Sequence, residues 1–310
     1  MNNFKKVGLT ALAGSLVATT AYAGALSVSG SAGVKYQSKS GSAGAAAVQG
    51  NPWSDSNGIT FSGGGEMENG MTVGVSYTMT DAAFSTSNVT LDMGDTGKLA
   101  FGHDSAHGGI DTIKDKMPTA GEEVWDDQGT GDDAGVTDVG ADPSLYYSIN
   151  MSGIAASASY SRTGLGTDSS VAIVASELVE GAEFGIGTGT NVISNTNEDD
   201  LTTVYAKYTT GPITVGVQMS EIDKTAANSD IDREAAAISF AVNENLSISY
   251  GISTVQYESS SNVDAESTGM SASYTMGGMT LGTVFNKTDS FGGASGTDRE
   301  FTEVSLSFAF

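Results

Sequence analysis

Alternation of apolar and polar residues along the chain constrains its fold more than any other feature of the sequence. In the first such stretch, Val28, Val34 and Tyr36 fall on one parity, whereas serine, lysine and glutamine residues fall on the other. A repeat of two residues places successive side chains on opposite sides of a β-strand, so one side of this strand is apolar. The same pattern recurs at 71–80 and at 304–310. We therefore expect a chain built almost entirely of β-strands.

Sixteen segments of this kind occur, and the connections between them alternate in length. The segments are 25–39, 57–68, 71–80, 86–94, 97–104, 144–151, 154–163, 168–178, 182–192, 200–210, 212–222, 232–242, 245–257, 266–277, 279–288 and 299–310. One set of connections consists of tight hairpin turns such as Asn69-Gly70 and Gly277-Gly278, and the other set is longer and polar. Short turns at one rim and long loops at the other are typical of an all-β transmembrane barrel, here a 16-stranded antiparallel up-and-down β-barrel.

Two segments fit a helix equally well when each is considered alone. Residues 171–180 and 232–241 are compatible with helical periodicity, and the second begins with aspartate and contains three alanines. Treating both segments as strands preserves the even strand number and the alternation of short and long connections. We therefore expect strands at both places.

The first 23 residues have the composition of a signal peptide. Lys5 and Lys6 precede a compact apolar run, and the small-x-small sequence Ala21-Tyr22-Ala23 is a cleavage pattern for signal peptidase. We expect a signal peptide over 1–23 and a single barrel domain over 24–310. Export follows from the signal peptide, and the cell outer membrane is the expected location because the strand pattern is typical of a transmembrane barrel.

Composition excludes several functional classes. The chain has no cysteine, 37 acidic residues, 13 basic residues and a formal net charge of −24. The absence of cysteine excludes a disulfide framework and thiolate metal sites. Because lysine and arginine are scarce, nucleic acid is not an expected partner.

The apolar side of these strands has two possible environments. In water it would pack against another sheet, as in a secreted or surface-layer acidic β-protein used for adhesion or as a coat. In an outer membrane it would face lipid, and the small polar residues would line a water-filled bore. Segment lengths near ~9–11 residues, aromatic residues such as Tyr77 and Phe285 near strand ends, and the terminal Phe310 favour the membrane.

The chain resembles the general bacterial porins, the trimeric sixteen-stranded diffusion channels of Gram-negative outer membranes. The similarity rests on the signal peptide, the sixteen segments, the ending 304–310 and a long acidic connection after the fifth segment. It implies a homotrimer in contact with outer-membrane lipid and lipopolysaccharide, with ions and small hydrophilic solutes passing through the bore. It also implies that the third long loop folds inward and that Phe310 acts as an assembly signal.

Connection 105–143 is the candidate constriction loop. Residues 104–143 contain 11 acidic residues and 2 basic ones. The candidate constriction residues are Asp111, Asp115, Glu122, Glu123, Asp126, Asp127, Asp132 and Asp133. An inward loop would hold a negative potential in the bore and give a weak cation preference, whereas the alternative is a solvated acidic surface loop. Val124 and Trp125 favour the inward loop, since they offer it a surface to pack on the wall.

The basic residues on the polar parity of their strands are expected to point into the bore. They are Lys35, Lys39, Lys98, Lys207 and Arg233. The resemblance implies that such residues face the acidic loop, and Lys35 and Lys98 are the best candidates. Two departures from the family pattern are the absence of a Pro-Glu-Phe-Gly stretch and a connection at 81–85 that is too short to latch a neighbouring subunit.

Other chemistry has weaker support. Asp104, Ser105 and His107 are close in sequence, but a catalytic triad requires them to be placed around a substrate. An outer-membrane enzyme would have only His103 and His107 as rim histidines. The pairs at 126–127 and 132–133 offer carboxylates for Ca²⁺, without the EF-hand spacing. We therefore expect no enzyme activity and no required cofactor, with Ca²⁺ at the acidic loop as one alternative.

Overall fold

A closed barrel of sixteen antiparallel strands forms the protein in the computed structural model. The described residues are 26–42, 51–81, 83–103, 108–125, 139, 144–176, 178–259 and 261–310. The strands are Ser27–Gly41 (β1), Trp53–Glu66 (β2), Thr72–Thr80 (β3), Ala83–Asp92 (β4), Lys98–His103 (β5), Ser144–Met151 (β6), Ile154–Arg162 (β7), Thr167–Ala175 (β8), Ala182–Ser194 (β9), Asn197–Thr210 (β10), Ile213–Lys224 (β11), Ile231–Ala241 (β12), Leu246–Tyr257 (β13), Ala265–Met276 (β14), Met279–Asp289 (β15) and Arg299–Ala309 (β16). Each strand pairs with its sequence neighbours, and β1 pairs with β16. The predicted fold class is confirmed.

Both segments that also fitted a helix contribute strands. Residues 232–241 lie in β12, and the segment 171–180 enters β8, which ends at Ala175. Each of these strands is hydrogen-bonded to both neighbours in the barrel, and tertiary pairing outweighs local helix propensity. Within the described ranges, no helix has the length and apolar character needed to cross a membrane.

Several strands extend further towards the long-loop rim than the sequence predicts. β2 begins at Trp53 rather than at 57, and β10 begins at Asn197 rather than at 200. The connections predicted at 81–85 and 193–199 are correspondingly shorter, because β4 begins at Ala83 and β9 ends at Ser194. Polar residues at these ends continue the ladder of backbone hydrogen bonds, although they no longer show apolar alternation.

The two faces of the barrel differ in chemistry. Ile186, Val204 and Met219 lie opposite one another on three adjacent strands, and all three are exposed on the outer face. Val75 and Met270, on other strands, are exposed by 50% and 56%. A continuous exposed band of this kind requires an apolar surrounding, which favours lipid over the secreted or surface-layer alternative.

The C-terminal residue completes the closure of the barrel. The backbone N–H of Phe310 donates to the carbonyl of Gly30 at 2.9 Å, and the N–H of Gly30 donates to the carbonyl of Phe310 at 2.8 Å. A Cβ at Gly30 would lie 2.7 Å from the Phe310 ring, so glycine provides the room for it. Phe310 is thus the last pairing position of the β1–β16 ladder, and its role as an assembly signal stays a prediction.

Buried apolar residues lie inside the barrel. Ile110 and Ile113, from the connection between β5 and β6, form one cluster with inward residues that include Leu201, Tyr205 and Val255. A second cluster joins Trp125 of the same connection to Met117, Val124 and Ala235. The small core therefore forms between this connection and the inner wall, and two sheets do not pack face to face.

Candidate pore constriction

The connection between β5 and β6, called the constriction loop below, starts along the inner wall with a short 3-10 turn at Gly109–Ile113. The N–H of Ile110 donates to the Ser170 hydroxyl of β8 at 3.0 Å. Gly109 has a φ of +61°, and a Cβ there would lie 2.1 Å from the Ser170 Oγ. Glycine is therefore required at this position by its backbone conformation and by the close approach to the wall.

Gln218 of β11 holds the next part of the loop through both ends of its amide. Its Nε2 donates to the carbonyls of Ile113 at 3.0 Å and Lys114 at 2.7 Å, and its Oε1 accepts the N–H of Lys116 at 3.0 Å. Nε2 also lies 3.1 Å from the Thr203 hydroxyl of β10, and Gln218 is only 4% exposed. One buried side chain thus satisfies three backbone groups of the loop.

Hydroxyl and amide groups on β13, β14 and β15 hold the second half of the loop. The N–H of Ala120 donates to the Ser249 hydroxyl at 2.9 Å, and the Ser249 and Ser271 hydroxyls are 2.7 Å apart. Further along, Asn286 Nδ2 donates to the carbonyl of Glu123 at 2.9 Å. The described part of the loop therefore crosses the inner wall from β8 to β15.

Glycines in the wall form a shallow channel that accommodates the loop. A Cβ at Gly216 would lie 2.6 Å from Pro118 Cδ, and one at Gly251 would lie 2.8 Å from Val124 Cγ1. Comparable close approaches occur at Gly187, Gly189 and Gly269. The loop can lie this close to the wall because these inward positions carry no side chain. The inward-folded loop is thereby confirmed.

The acidic candidates divide into two groups. Asp111, Asp115, Glu122 and Glu123 lie on the described part of the loop, and Asp111 Oδ1 accepts the N–H of Val139 at 3.0 Å. The other four are Asp126, Asp127, Asp132 and Asp133, and they fall outside the described residues. The Ca²⁺ prediction for those pairs stays a prediction. Among the described residues, no group of three or more histidine, aspartate or glutamate side chains is arranged to hold a metal ion.

Lys35 of β1 is paired with a buried carboxylate. Its Nζ lies 3.3 Å from Glu303 Oε2 of β16, and Gln37 Nε2 donates to the same oxygen at 2.7 Å. Glu303 is only 2% exposed. Lys35 does reach the bore, as the parity of β1 predicts, but the field of its charge is largely offset by Glu303.

Two other basic candidates, Lys39 and Lys207, have partners as well. Lys39 Nζ lies 5.3 Å from the centre of the Phe301 ring. Lys207 Nζ lies 3.0 Å from Glu183 Oε1, an oxygen that also accepts the Tyr205 hydroxyl at 2.7 Å. These contacts hold the cationic groups against the wall.

Arg233 differs most from its predicted place on the open pore wall. It faces inward, but it is only 5% exposed, and its guanidinium carbon lies 5.6 Å from the centre of the Trp125 ring. The cation–π contact joins the wall to the loop. Arg233 therefore packs beneath the loop and does not line the open bore, because the loop covers the part of β12 that carries it.

Lys98 and Lys116 line a common cavity between the β4–β5 turn and the first part of the constriction loop, together with Glu183 and Tyr205. Lys116 is on the loop itself, and it is not among the basic residues that strand parity selects. Burial and the neighbouring charge of Lys207 lower the pKa of Lys116 below its usual value, although Glu183 and Asp115 oppose the change. This part of the loop therefore presents a cation to the bore, in contrast to the acidic character of the whole connection.

Sequence reasoning missed the residues that fix the loop and those that neutralise the lysines. Gln218 and Asn286 lie on the polar parity of their strands, as many serine and threonine residues do, so nothing in the sequence distinguishes them. Glu183 and Glu303 lie on the inward parity too. The partners of Glu303 lie at the other end of the chain, and those of Glu183 lie on the adjacent strand β10. The pairing of the strands brings each set together.

Comparisons with known proteins place this geometry in context. A family model described as Gram-negative porin matches residues 8–254. An anion-selective porin from Comamonas acidovorans superimposes with a TM-score of 0.68 at 12% identity, covering 92% of this chain and 99% of that one. OmpT, an outer membrane protein of Vibrio cholerae, gives 0.66 at 12% identity, with coverage of 93% and 98%. A mutant porin of Rh. blastica gives 0.66 at 14% identity, with coverage of 92% and 100%. No curated protein sequence matches significantly.

Proposed function

Because the chain belongs to the Gram-negative porin family, we propose that it is a passive outer-membrane diffusion channel for ions and small hydrophilic solutes, without a catalytic step. The observation that carries the proposal is a sixteen-stranded barrel whose polar inner wall holds a loop inside the bore. A barrel of sixteen strands is wide enough to retain water, whereas eight strands fill with side chains. Solutes then move down their own concentration gradients.

The finer part of the proposal is a weak preference for cations. Residues 104–143 carry 11 acidic and 2 basic residues. Of the basic wall candidates, Lys35 and Lys207 are paired with carboxylates, and Arg233 is buried beneath Trp125. Negative charge in the bore is therefore offset only in part, which supports attraction of cations. The preference weakens in concentrated salt, because the Debye length falls to about 3 Å at 1 M.

We also propose a homotrimer in contact with outer-membrane lipid and lipopolysaccharide, and export by the signal peptide at 1–23. The exposed apolar band on the outer face supports contact with lipid. Trimer formation is supported by family membership. A heat-sensitive oligomer on gels, present in outer-membrane fractions, is the expected result.

Recordings from the purified protein in a planar bilayer test the function. We expect stepwise openings whose conductance rises with KCl concentration, and a reversal potential in a KCl gradient that indicates a cation preference. Replacing Asp126, Asp127, Asp132 and Asp133 together by asparagine should move that potential towards zero.

A matched control removes four carboxylates from the outer face of β11 and β12. The variant carries E221Q, D223N, D232N and E234Q. Its reversal potential should stay at the wild-type value, because these charges lie on the outer face and their field on ions inside the bore is screened. Absence of conductance would overturn the channel. Strong anion preference, or no change in the loop variant, would overturn only the proposed selectivity.

A further inference from the structure

A cavity of about 530 Å³ opens between the constriction loop and the inner wall on the side of the short turns. It extends from the β4–β5 turn, which contributes Asp92, Asp95 and Lys98, to Lys116 of the loop and Glu183 of β9. Between these ends the wall carries small residues of β6, β7 and β8, including Ser148 and Ser157. A solute that has passed the loop would enter this space.

Two ammonium groups that form no ion pair with the described residues line this cavity, together with the carboxylates of Asp92, Asp95 and Glu183. Of the basic residues on the inner wall, Lys35 and Lys207 form ion pairs, and Lys39 and Arg233 contact aromatic rings. In the described part of the chain, the ammonium groups of Lys98 and Lys116 have no carboxylate oxygen within 4.0 Å. Both of these groups line the same cavity.

Lys116 is held in place by its backbone. Its N–H donates to Gln218 Oε1 at 3.0 Å, and Gln218 also binds the carbonyl of Lys114. The wall carboxylate that acts on the charge of Lys116, Glu183, is already engaged by Lys207 at 3.0 Å and by the Tyr205 hydroxyl at 2.7 Å. Lys116 is thus an oriented, half-buried cation whose potential wall partner is already shared by two other groups.

The opposite end of the cavity supplies carboxylates. Asp92 and Lys98 are directly opposite each other on β4 and β5, and Asp92 Oδ1 accepts the N–H of Gly94 at 2.9 Å. Asp95 follows in the same turn and also lines the cavity. A purely anionic solute would meet these two carboxylates, and a purely cationic solute would meet Lys116 at the other end. A solute with both charges matches both ends.

We propose that this cavity is a binding site for small zwitterionic solutes of the amino-acid class. The carboxylate lies against the ammonium group of Lys116, and the amino group lies against Asp92 and Asp95 at the other end, where Lys98 is directly opposite Asp92. The proposal rests on the proposed channel, in which the cavity is a stage on the path of the solute. The site adds saturable binding to a pore that otherwise selects solutes only by their size and by the electrostatic field in the bore.

The test is block of the KCl current through the full-length protein by 6-aminohexanoate, with hexanoate and 6-aminohexanamide as single-charge analogues of equal length. The zwitterion should give saturable, concentration-dependent current fluctuations at lower concentration than either analogue. Lys116→Met should raise the half-blocking concentration about tenfold, the factor expected for one lost charge-assisted contact. Lys116→Arg should retain the block, because it keeps the charge.

Lys224→Met is the matched control, since Lys224 is an inward lysine at the opposite end of β11. The current through this variant should be blocked by 6-aminohexanoate at the same concentration as the current through the wild type. Equal block by hexanoate and 6-aminohexanoate, or an unchanged Lys116→Met variant, would overturn the site while leaving the channel intact. If no channel opens, equilibrium dialysis of 6-aminohexanoate against the folded protein in detergent still decides whether the cavity binds it.

Discussion

Two parts of the inner wall both carry polar side chains, but these side chains form hydrogen bonds with different partners. On the covered wall, the inner face of β8–β15 against the constriction loop, Ser170 and Gln218 are 4% exposed and hydrogen-bonded to the loop backbone. On the open wall, the inner face of β1–β4, Thr60 and Thr78 are half-buried and their hydroxyls lie 2.9 Å apart, bonding to each other. The comparison shows that an inward polar residue anchors the loop where the loop lies on it and otherwise lines the bore.

The largest expected effect comes from moving the loop away from the covered wall at Gly109. Gly109→Ala places a Cβ 2.1 Å from Ser170 Oγ in a left-handed conformation, which itself costs about 1–2 kcal/mol. We expect a displaced loop, a higher single-channel conductance and noisier current. Gly70→Ala is the matched control, because Gly70 has a φ of +82° but no atom within 4 Å of the added Cβ. If both variants conduct like the wild type, the loop is not seated as described.

The next effect concerns the hydrogen bonds of Gln218. Gln218→Leu leaves two loop carbonyls and one N–H without their buried partner, and each such loss costs about 1–3 kcal/mol. Current fluctuations should increase, and proteolysis within the loop should become faster. Thr78→Val on the open wall removes one hydroxyl pair and should leave the current unchanged. Equal effects from the two substitutions would remove the distinction between the walls.

A smaller effect follows from unpairing Lys35 on the open wall. Glu303→Gln removes the carboxylate 3.3 Å from Lys35 Nζ but keeps the shape of the side chain. The freed positive charge should lower the cation preference, measured as a smaller reversal potential in a KCl gradient at low salt. The difference should shrink at 1 M KCl, because charges are screened there. Lys287→Gln, a change on the outer face, serves as the control.

The smallest effect is a pH dependence from Lys116, on the part of the constriction loop that lies against the covered wall. Burial and Lys207 lower the pKa of Lys116, so rising pH removes this charge before that of a lysine with the usual pKa. Above the lowered pKa one positive charge is missing from the bore, so cation preference should increase with pH. Reversal potentials measured at increasing alkaline pH should show this step in the wild type, and Lys116→Met should lack it. A step that persists in the variant must come from another group.

Much of the barrel could be predicted from the sequence, and less of the site. The parity of β1 placed Lys35 inside, and Val124 and Trp125 indicated a loop that packs on the wall, as it does. The parity of β12 likewise placed Arg233 inside but could not show that Trp125 covers it. Strand register and the path of the loop decide that, and neither is encoded in local alternation.

The sequence by itself determined the architecture and the chemistry of its two faces, because a repeat of two residues and an even number of hairpin-connected strands need no knowledge of distant contacts. Only the tertiary structure decided which charges act in the bore. The pairing of β1 with β16 brings Lys35 into an ion pair with Glu303, and the pairing of β9 with β10 brings Lys207 into an ion pair with Glu183. Lys98 and Lys116 line one cavity and form no ion pair with the described residues. The physical reason is range: alternation is a property of neighbouring residues, while a field in the bore is the sum of charges brought together from distant strands.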